Sequence, residues 1–320
     1  NEESTLPHLL TALKQQTFKP YEIIVIDDQS VDATAQIAKQ AGVNVVQTAP
    51  LPTGWTGKNW ALKTGYTNSS GDILVFLDAD TEPGKDLLRR LVATVQHLGG
   101  LVSVQPYHRT ERPYEQLAVL FNLVGLMAVR LGARGGVAFG PAMATSKNDY
   151  KRVGGHSAVA GYVVEDWFLA HVYNSAGLPA SAYMGHGQLN YRMYPGGLHA
   201  LVVGFNKNFA TAAGQVSWVR MLAVVLWISG LFWAAWCLPA SLFGWPIVGN
   251  SSLLYNVLLY LAFAIQLAII VRPVGSFGFI VFFFPIPVAF FIAVFVLAIL
   301  NLERGQIEWK GRTIDTRWQG

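Results

Sequence analysis

Charge is what this chain has least of. Asp, Glu, Lys and Arg make up 13% of its 320 residues, against 52% hydrophobic, where soluble domains carry about 25% charged residues. The deficit is local. From Met221 to Leu302 the only charged side chain is Arg272, which excludes an ordinary soluble fold there and leaves room for several membrane passes. Cysteine is nearly absent too. Cys237 stands alone in an apolar stretch, so no intrachain disulfide and no cysteine-built zinc cluster can form. There is no long basic run either. The net charge of +4 is dispersed, which argues against nucleic-acid binding and fits the Lys/Arg excess on the cytoplasmic side of membrane proteins. Signal-peptide pattern, internal repeat and polar low-complexity segment are all lacking.

What is present is concentrated at the ends of short apolar runs. Asp72-Ile73-Leu74-Val75-Phe76-Leu77-Asp78-Ala79-Asp80 reads as a buried strand that delivers an Asp-x-Asp pair to its C-terminal edge. Ligands of open α/β sheets bind beyond that edge. Paired carboxylates suit a hard divalent cation, Mg²⁺ or Mn²⁺, which can in turn hold a diphosphate. Glu22 to Asp28 is a second such strand, ending in Asp27-Asp28. Helical patterns at Thr5–Gln16, Ala33–Ala41, Asn59–Thr67 and Lys85–Leu98 alternate with strands at Val43–Gln47, Ile73–Leu77 and Leu101–Gln105. That order predicts an α/β, Rossmann-like, mostly parallel sheet with helices on both faces. Such a sheet normally opens with a strand, and none precedes the Thr5 helix. A strand, with or without a membrane helix, is therefore expected ahead of Asn1.

Further on, Pro113–Arg130 reads as a long helix, 137–144 as small and apolar, and Val163–Ser175 as a helix opening on Glu165-Asp166. Tyr191–Gly214 looks interfacial. Three apolar spans follow at Met221–Phe243, Leu253–Val271 and Phe279–Leu302, the last with Pro285 and Pro287 near its middle. The expected organisation is a catalytic domain over 1–214, a membrane domain over 215–302 and a basic cytoplasmic tail over 303–320. Pro285 and Pro287 leave two readings of the last span open: a kinked crossing helix or a re-entrant hairpin.

These groups together have a chemical use. A nucleotide-sugar donor needs its base and ribose held, its diphosphate neutralised and its acceptor deprotonated. Asp28 can accept from a pyrimidine N–H or a ribose hydroxyl. Asp80 with Asp78 can hold a metal against the diphosphate, and Lys58 in its Gly-rich loop adds positive charge. Asp166 can take the acceptor proton.

The ordered set Asp27-Asp28-x-Ser-x-Asp-x-Thr, Gly57-Lys58, Asp78-Ala79-Asp80 and Glu165-Asp166 resembles the family 2 inverting glycosyltransferases of GT-A fold. Asn1-Glu2-Glu3 resembles the tripeptide that follows the first strand there. Ser103 to His108, Arg112-x-Tyr114-Glu115, Phe121-Asn122-Leu123, Ala138-Phe139-Gly140-Pro141, Gly154-Gly155-His156, Arg192-Met193-Tyr194 and Glu308 to Arg312 look like the bacterial carotenoid glycosyltransferases. The resemblance implies a UDP-sugar donor, Mg²⁺ or Mn²⁺, a lipid acceptor, and Asp166 as catalytic base. It further implies Asp28, Lys58, Asp78, Glu165 and Arg192 on the nucleotide sugar, with Asp80 and Asp78 on the metal. His108, His156, Trp309, Lys310 and Arg312 are further candidates, for the acceptor or for anchoring. Tyr191-Arg192-Met193-Tyr194 replaces the Gln-x-x-Arg-Trp of processive relatives, against polymer synthesis. Two other readings stay open: a polyprenyl-phosphate or ceramide/hopanoid-type lipid glycosyltransferase, and a non-catalytic membrane subunit of a larger complex. The implied location is the cytoplasmic membrane, multi-pass, with the catalytic domain in the cytosol.

Overall fold

The computed structural model describes residues 1–127, 129, 131–212, 217–245, 252–304, 306–309 and 312–315. In chain order the first elements are α1 (Leu6–Lys14), β1 (Ile24–Asp27), α2 (Thr34–Gln40), β2 (Asn44–Gln47), α3 (Gly57–Asn68), β3 (Ile73–Leu77), β4 (Thr81–Pro83), α4 (Leu87–Leu98), β5 (Leu101–Gln105) and β6 (Tyr107–His108). Next come α5 (Val119–Met127), β7 (Ala142–Ser146), α6 (Lys147–Arg152), α7 (Glu165–Ser175), β8 (Ala180–Met184) and β9 (Leu189–Tyr191). The last are α8 (Leu198–Ala212), α9 (Trp218–Leu242), α10 (Leu253–Ile270), α11 (Pro285–Arg304), β10 (Gln306–Trp309) and β11 (Arg312–Asp315). The chain divides into two compact units, Asn1–Tyr107 with Arg130–Tyr191, and His108–Val129 with Arg192–Gly320.

In the first unit β1 and β2 pair in parallel, Ile24 opposite Asn44. A larger sheet runs in the order β3-β7-β5-β8. The expectation of a mostly parallel sheet needs correction here. β7 lies antiparallel to both β3 and β5, and β5–β8 is the parallel pair of that sheet. The chain between β5 and β7 makes a long excursion through His108–Val129, so no single helix crossover imposes the parallel sense. Ala142-Met143-Ala144-Thr145 is buried at every position. It shows no alternation of exposure, so the sequence presents a small apolar stretch rather than a strand.

Side chains alternate across this sheet as the two-residue period requires. Val102, Val104, Ala142 and Ala144 pack with Leu87, Leu91 and Val95 of α4. Leu101, Met143 and Ala180 point the other way, against Leu169, Ala170 and Tyr173 of α7. The α4 residues recur at fourfold spacing and form one stripe. α3 starts where the sequence allows, with Thr56 as N-cap accepting from the Asn59 amide at 3.3 Å, which satisfies one of the orphan donors of the first turn.

In the second unit the expected Pro113–Arg130 helix is a 3₁₀ turn over Pro113–Ala118 followed by α5. Phe121 of α5 stacks on Phe205 of α8, ring centres 4.1 Å apart. Among the described residues α9 and α10 are long and apolar enough to cross a membrane, with mean hydropathies of 2.0 and 2.2. The third apolar stretch is divided. A 3₁₀ turn covers Gly278–Phe283 and α11 opens at Pro285. The prolines thus sit in the first turn, where a missing N–H costs nothing, and they begin a helix rather than interrupt one. β10 and β11 form an antiparallel hairpin with Trp309 opposite Arg312.

Candidate active site

The site is assembled at strand ends and helix starts of the first unit. β3 ends at Leu77 and places Asp78 beside the first turn of α3, where Lys58 stands. Lys58 Nζ lies 3.1 Å from the Asp78 carboxylate and 2.9 Å from Glu165 Oε1. Glu165 and Asp166 form the first turn of α7, where backbone N–H groups favour negative charge. Gly140, just before β7, closes the group. Its N–H donates to Asp166 Oδ2 at 2.7 Å, and the Trp167 N–H donates to Asp166 Oδ1 at 2.8 Å. A Cβ on Gly140 would stand 3.0 Å from Lys58 Nζ, 3.2 Å from Glu165 Oε1 and 3.3 Å from Asp166 Oδ2. Three of the residues picked from the sequence, Lys58, Glu165 and Asp166, therefore converge on one glycine, and Asp78 joins them through Lys58.

Electrostatics sort these groups into roles. Burial alone would lower the Lys58 pKa, but the Asp78 and Glu165 charges outweigh it and hold the ammonium well above its ordinary range. Glu165 is pushed up by burial and pulled down further by Lys58, so it stays ionised. Among the described residues Asp166 forms no ion pair. Burial first, then the Glu165 charge, raises it to about 6, though the Lys58 charge nearby lowers it somewhat. The pKa values of two carboxylates adjacent in sequence are thus driven apart, one held ionised, the other raised toward neutrality.

Asp80 is also raised to about 6, by burial first and then by Asp78 and Glu2, and Asp78 is raised by its burial. Carboxylates gathered at this cost are relieved by a cation. Among the described residues no three His, Cys, Asp or Glu side chains gather in ligating geometry. The Asp78/Asp80 pair still fits Mg²⁺ or Mn²⁺. Mg²⁺ is typically held by one or two carboxylates, with water and substrate phosphate completing the shell. Asp28, half-buried after β1, accepts from Thr48 Oγ1 at 2.9 Å.

Other sequence candidates have different occupations. His156 is fully buried, its Nδ1 2.6 Å from Tyr150 Oη and its ring edge-on to Phe76. Burial lowers its pKa to about 4, so it is a neutral core group. His108 belongs to the second unit, buried beside Phe277 with Nδ1 3.1 Å from Asn122 Nδ2; burial lowers it to about 4 as well. Arg192, also in the second unit, is committed to two glutamates. Its Nη1 lies 2.7 Å from Glu111, and Nε and Nη2 lie 3.0 and 2.5 Å from Glu115. Trp309 and Arg312 fall on β10 and β11, and Lys310 lies outside the described residues.

Two residues at the site have no role assigned from the sequence. Gly140, which appears there only within Ala138-Phe139-Gly140-Pro141, is one. Asn59 is the other: fully buried, its Nδ2 donates to the carbonyls of Val159, Ala160 and Tyr162 at 2.7, 3.0 and 3.0 Å. It ties the Lys58 turn to the segment that leads into Glu165. Thr56 adds a backbone bond to Ala160 at 2.9 Å. Asn59 follows a lysine already singled out, and that adjacency was the one available signal.

Comparison with known proteins identifies the family of the chain. Residues 1–131 match the profile "Glycosyl transferase family 2". The chain is 35% identical to 4,4'-diaponeurosporenoate glycosyltransferase of Staphylococcus aureus strain USA300, over 98% of this chain and 85% of that enzyme. The strain MRSA252 enzyme is 34% identical over the same shares. Among solved structures, glucosyl-3-phosphoglycerate synthase of Mycobacterium tuberculosis, with Mn²⁺, UDP and phosphoglyceric acid, matches 67% of this chain and 74% of its own at 24% identity and a TM-score of 0.44. A relative this similar, over nearly the whole length of the chain, places it in glycosyl transferase family 2.

Proposed function

We propose that this glycosyltransferase moves a hexosyl group, glucose in the first instance, from a UDP-sugar to a hydroxyl or carboxyl of a carotenoid-class lipid, with inversion at the anomeric carbon. The observation that carries the reading is the pair of divergent carboxylates on α7, set against Lys58 and the β3 aspartates. The acceptor class comes from the S. aureus relatives, whose name carries diaponeurosporenoate.

In this reaction Asp166 accepts the proton of the acceptor hydroxyl as its oxygen attacks the anomeric carbon. The new C–O bond forms as the bond to the diphosphate breaks, and UDP leaves with the electron pair. Single displacement makes no covalent enzyme intermediate and inverts configuration. The Gly140 and Trp167 N–H groups fix the Asp166 carboxylate in place, and Glu165 keeps Lys58 charged and aimed. Asp80 and Asp78 would hold Mg²⁺ or Mn²⁺, which supplies counter-charge to the diphosphate. Asp28 is assigned to the nucleoside.

The membrane reading rests on α9 and α10. They expose Leu226 at 64% and Leu254 at 67%, an arrangement costly in water and ordinary in lipid. The test is turnover: UDP-glucose with a hydroxylated carotenoid and Mn²⁺ should yield UDP and a glycosylated lipid of inverted configuration. No product across a panel of carotenoid alcohols and acids would overturn the acceptor class.

A further inference from the structure

Lys58 stands between two carboxylates that hold it in different ways. Glu165 is the fixed partner. It opens α7, its side chain is 7% exposed, and its Oε1 lies 2.9 Å from the ammonium. Asp78 is the open partner. Its side chain is 33% exposed, and both of its oxygens face the ammonium, Oδ1 at 3.1 Å and Oδ2 at 3.2 Å. Three oxygens thus surround Nζ, as many as an ammonium has N–H donors. Neither Asp78 oxygen is turned away from Lys58. A divalent cation that takes Asp78 as a ligand needs one of them within about 2.1 Å. Cation and ammonium repel at such separations, so the cation can enter only as Lys58 leaves Asp78.

The backbone decides which of the pair gives way. The Asp78 N–H donates to the Pro141 carbonyl at 2.9 Å. The Asp78 carbonyl accepts from the Thr81 N–H at 3.2 Å and from Thr81 Oγ1 at 2.7 Å. Three bonds therefore hold Asp78 at the end of β3. Lys58 is held at its backbone end, where the next residue, Asn59, clasps three carbonyls. Its ammonium rides on a flexible four-carbon stem, and 39% of the side chain is exposed. The tip can leave Asp78 while keeping buried Glu165. Two of its N–H donors then lack an acceptor, on a side chain that a dissolved anion can reach.

We propose that Lys58 is an exchangeable counter-ion that makes the divalent cation and the diphosphate bind as a pair: it closes Asp78 to a bare cation and opens it when a diphosphate takes the ammonium. A cation arriving alone must break the Lys58–Asp78 pair with nothing to replace it. A diphosphate supplies the replacement oxygens, and charge-assisted bonds of that kind are among the stronger ones. Lys58 therefore couples the two ligands, by a factor in the range of about 5–150 usual for linked sites, and the coupling is reciprocal. The consequence for turnover is at both ends of the cycle. The acidic group is not loaded with cation ahead of the nucleotide sugar, and departure of either UDP or the cation returns Lys58 to Asp78 and helps expel the other. The inference rests on the reading of Asp78 and Asp80 as the cation's ligands and is independent of the acceptor.

The test measures binding of Mn²⁺ alone, by its electron-spin signal, and of UDP at saturating Mn²⁺, by calorimetry, for the unaltered chain and for Lys58→Met. The two affinities should move in opposite directions. The variant should hold bare Mn²⁺ about tenfold more tightly and UDP about tenfold more weakly; a lysine with only a structural role would weaken both. Asp78→Asn supplies the control background. With no carboxylate left to close, Lys58→Met should add little Mn²⁺ affinity there, which separates exchange at Asp78 from a general loss of positive charge. Unchanged or weaker binding of bare Mn²⁺ by Lys58→Met, or an equal gain in both backgrounds, overturns the proposal. If Lys58→Met does not fold, Lys58→Gln leaves Glu165 a donor and is read in the same way. Asp80→Ala tests the cation site itself: Mn²⁺-dependent UDP binding that survives it refutes the site, whereas failure of the Lys58 cycle refutes the exchange alone.

Discussion

Replacing Asp166 by Asn separates base catalysis from positioning. In the wild type both Asp166 oxygens accept backbone N–H bonds, from Gly140 at 2.7 Å and Trp167 at 2.8 Å. An amide offers one acceptor oxygen, so one N–H loses its partner at a cost of about 1–3 kcal/mol. The variant should therefore fold but melt lower. Loss of the proton acceptor should reduce turnover on a hydroxyl acceptor by about 10²–10⁴-fold, equivalent to about 3–5 kcal/mol in the barrier. The pH profile adds a second readout. Asp166 lies near 6, while its neighbours Glu165 and Lys58 are held ionised by each other. The base form is the deprotonated one, so wild-type kcat/KM should fall as pH drops through about 6 and lose about tenfold one unit below it. At saturating Mn²⁺, which holds Asp80 ionised although it too is raised to about 6 without a cation, the Asn variant should lose that limb. An acceptor that is already a carboxylate has no proton to give, and with it the variant should keep most of its rate. The assay is product formation by mass spectrometry with UDP-glucose and paired alcohol and acid acceptors, from pH 4.5 to 8. Wild-type turnover in the variant, or an equal loss with both acceptors, would refute Asp166 as the base.

Asp80→Ala should abolish Mn²⁺-dependent UDP binding in calorimetry, because the diphosphate loses its counter-charge; unchanged metal-dependent affinity would show that the cation sits elsewhere. Gly140→Ala puts a methyl within 3.0–3.3 Å of three charged groups, and should cut turnover at least tenfold by displacing the Lys58 end while the circular-dichroism melt moves little; retained activity would mean the group tolerates spreading. Asn59→Ala leaves three carbonyls without their side-chain donor and should cost about 2–4 kcal/mol in urea unfolding, with a midpoint shift below about 1 kcal/mol counting against the clasp. Glu165→Gln should cost about 1–3 kcal/mol, less than a fully buried pair, because Lys58 is 39% exposed and keeps Asp78; an unchanged melt would deny the pair a structural role.

How far the sequence could be read follows from the range of the interactions involved. Asp28, Asp78 and the Glu165-Asp166 pair are set by local pattern, a short apolar run or a helix start with carboxylates at its end, and pattern of that kind survives in a linear string. The direction of β7 is not local. It depends on where the chain re-enters the sheet after a long excursion, and Ala142-Met143-Ala144 carries no mark of orientation. β8, Ala180-Ser181-Ala182-Tyr183-Met184, was likewise hidden, since small residues buried in succession lack the alternation that announces a strand. Arg192 shows the opposite difficulty. An arginine among aromatics invites a phosphate, yet its nitrogens meet Glu111 and Glu115, about eighty positions back.

The acid–base character of the site sits at the far end of that scale. Nothing in Glu165-Asp166 says which carboxylate stays charged. The distinction is made by Lys58, more than a hundred positions away, which pairs with Glu165 and not with Asp166. Gly140 makes that pairing geometrically available, because any side chain there would occupy the space in which the lysine and both carboxylates meet. A glycine with ordinary backbone angles gives no sequence signal for such a role. Its small size is nevertheless what lets one member of an acidic pair be neutralised by an ammonium while the other, half-buried beside it and in no ion pair among the described residues, rises toward neutrality, as the proposed proton acceptor must.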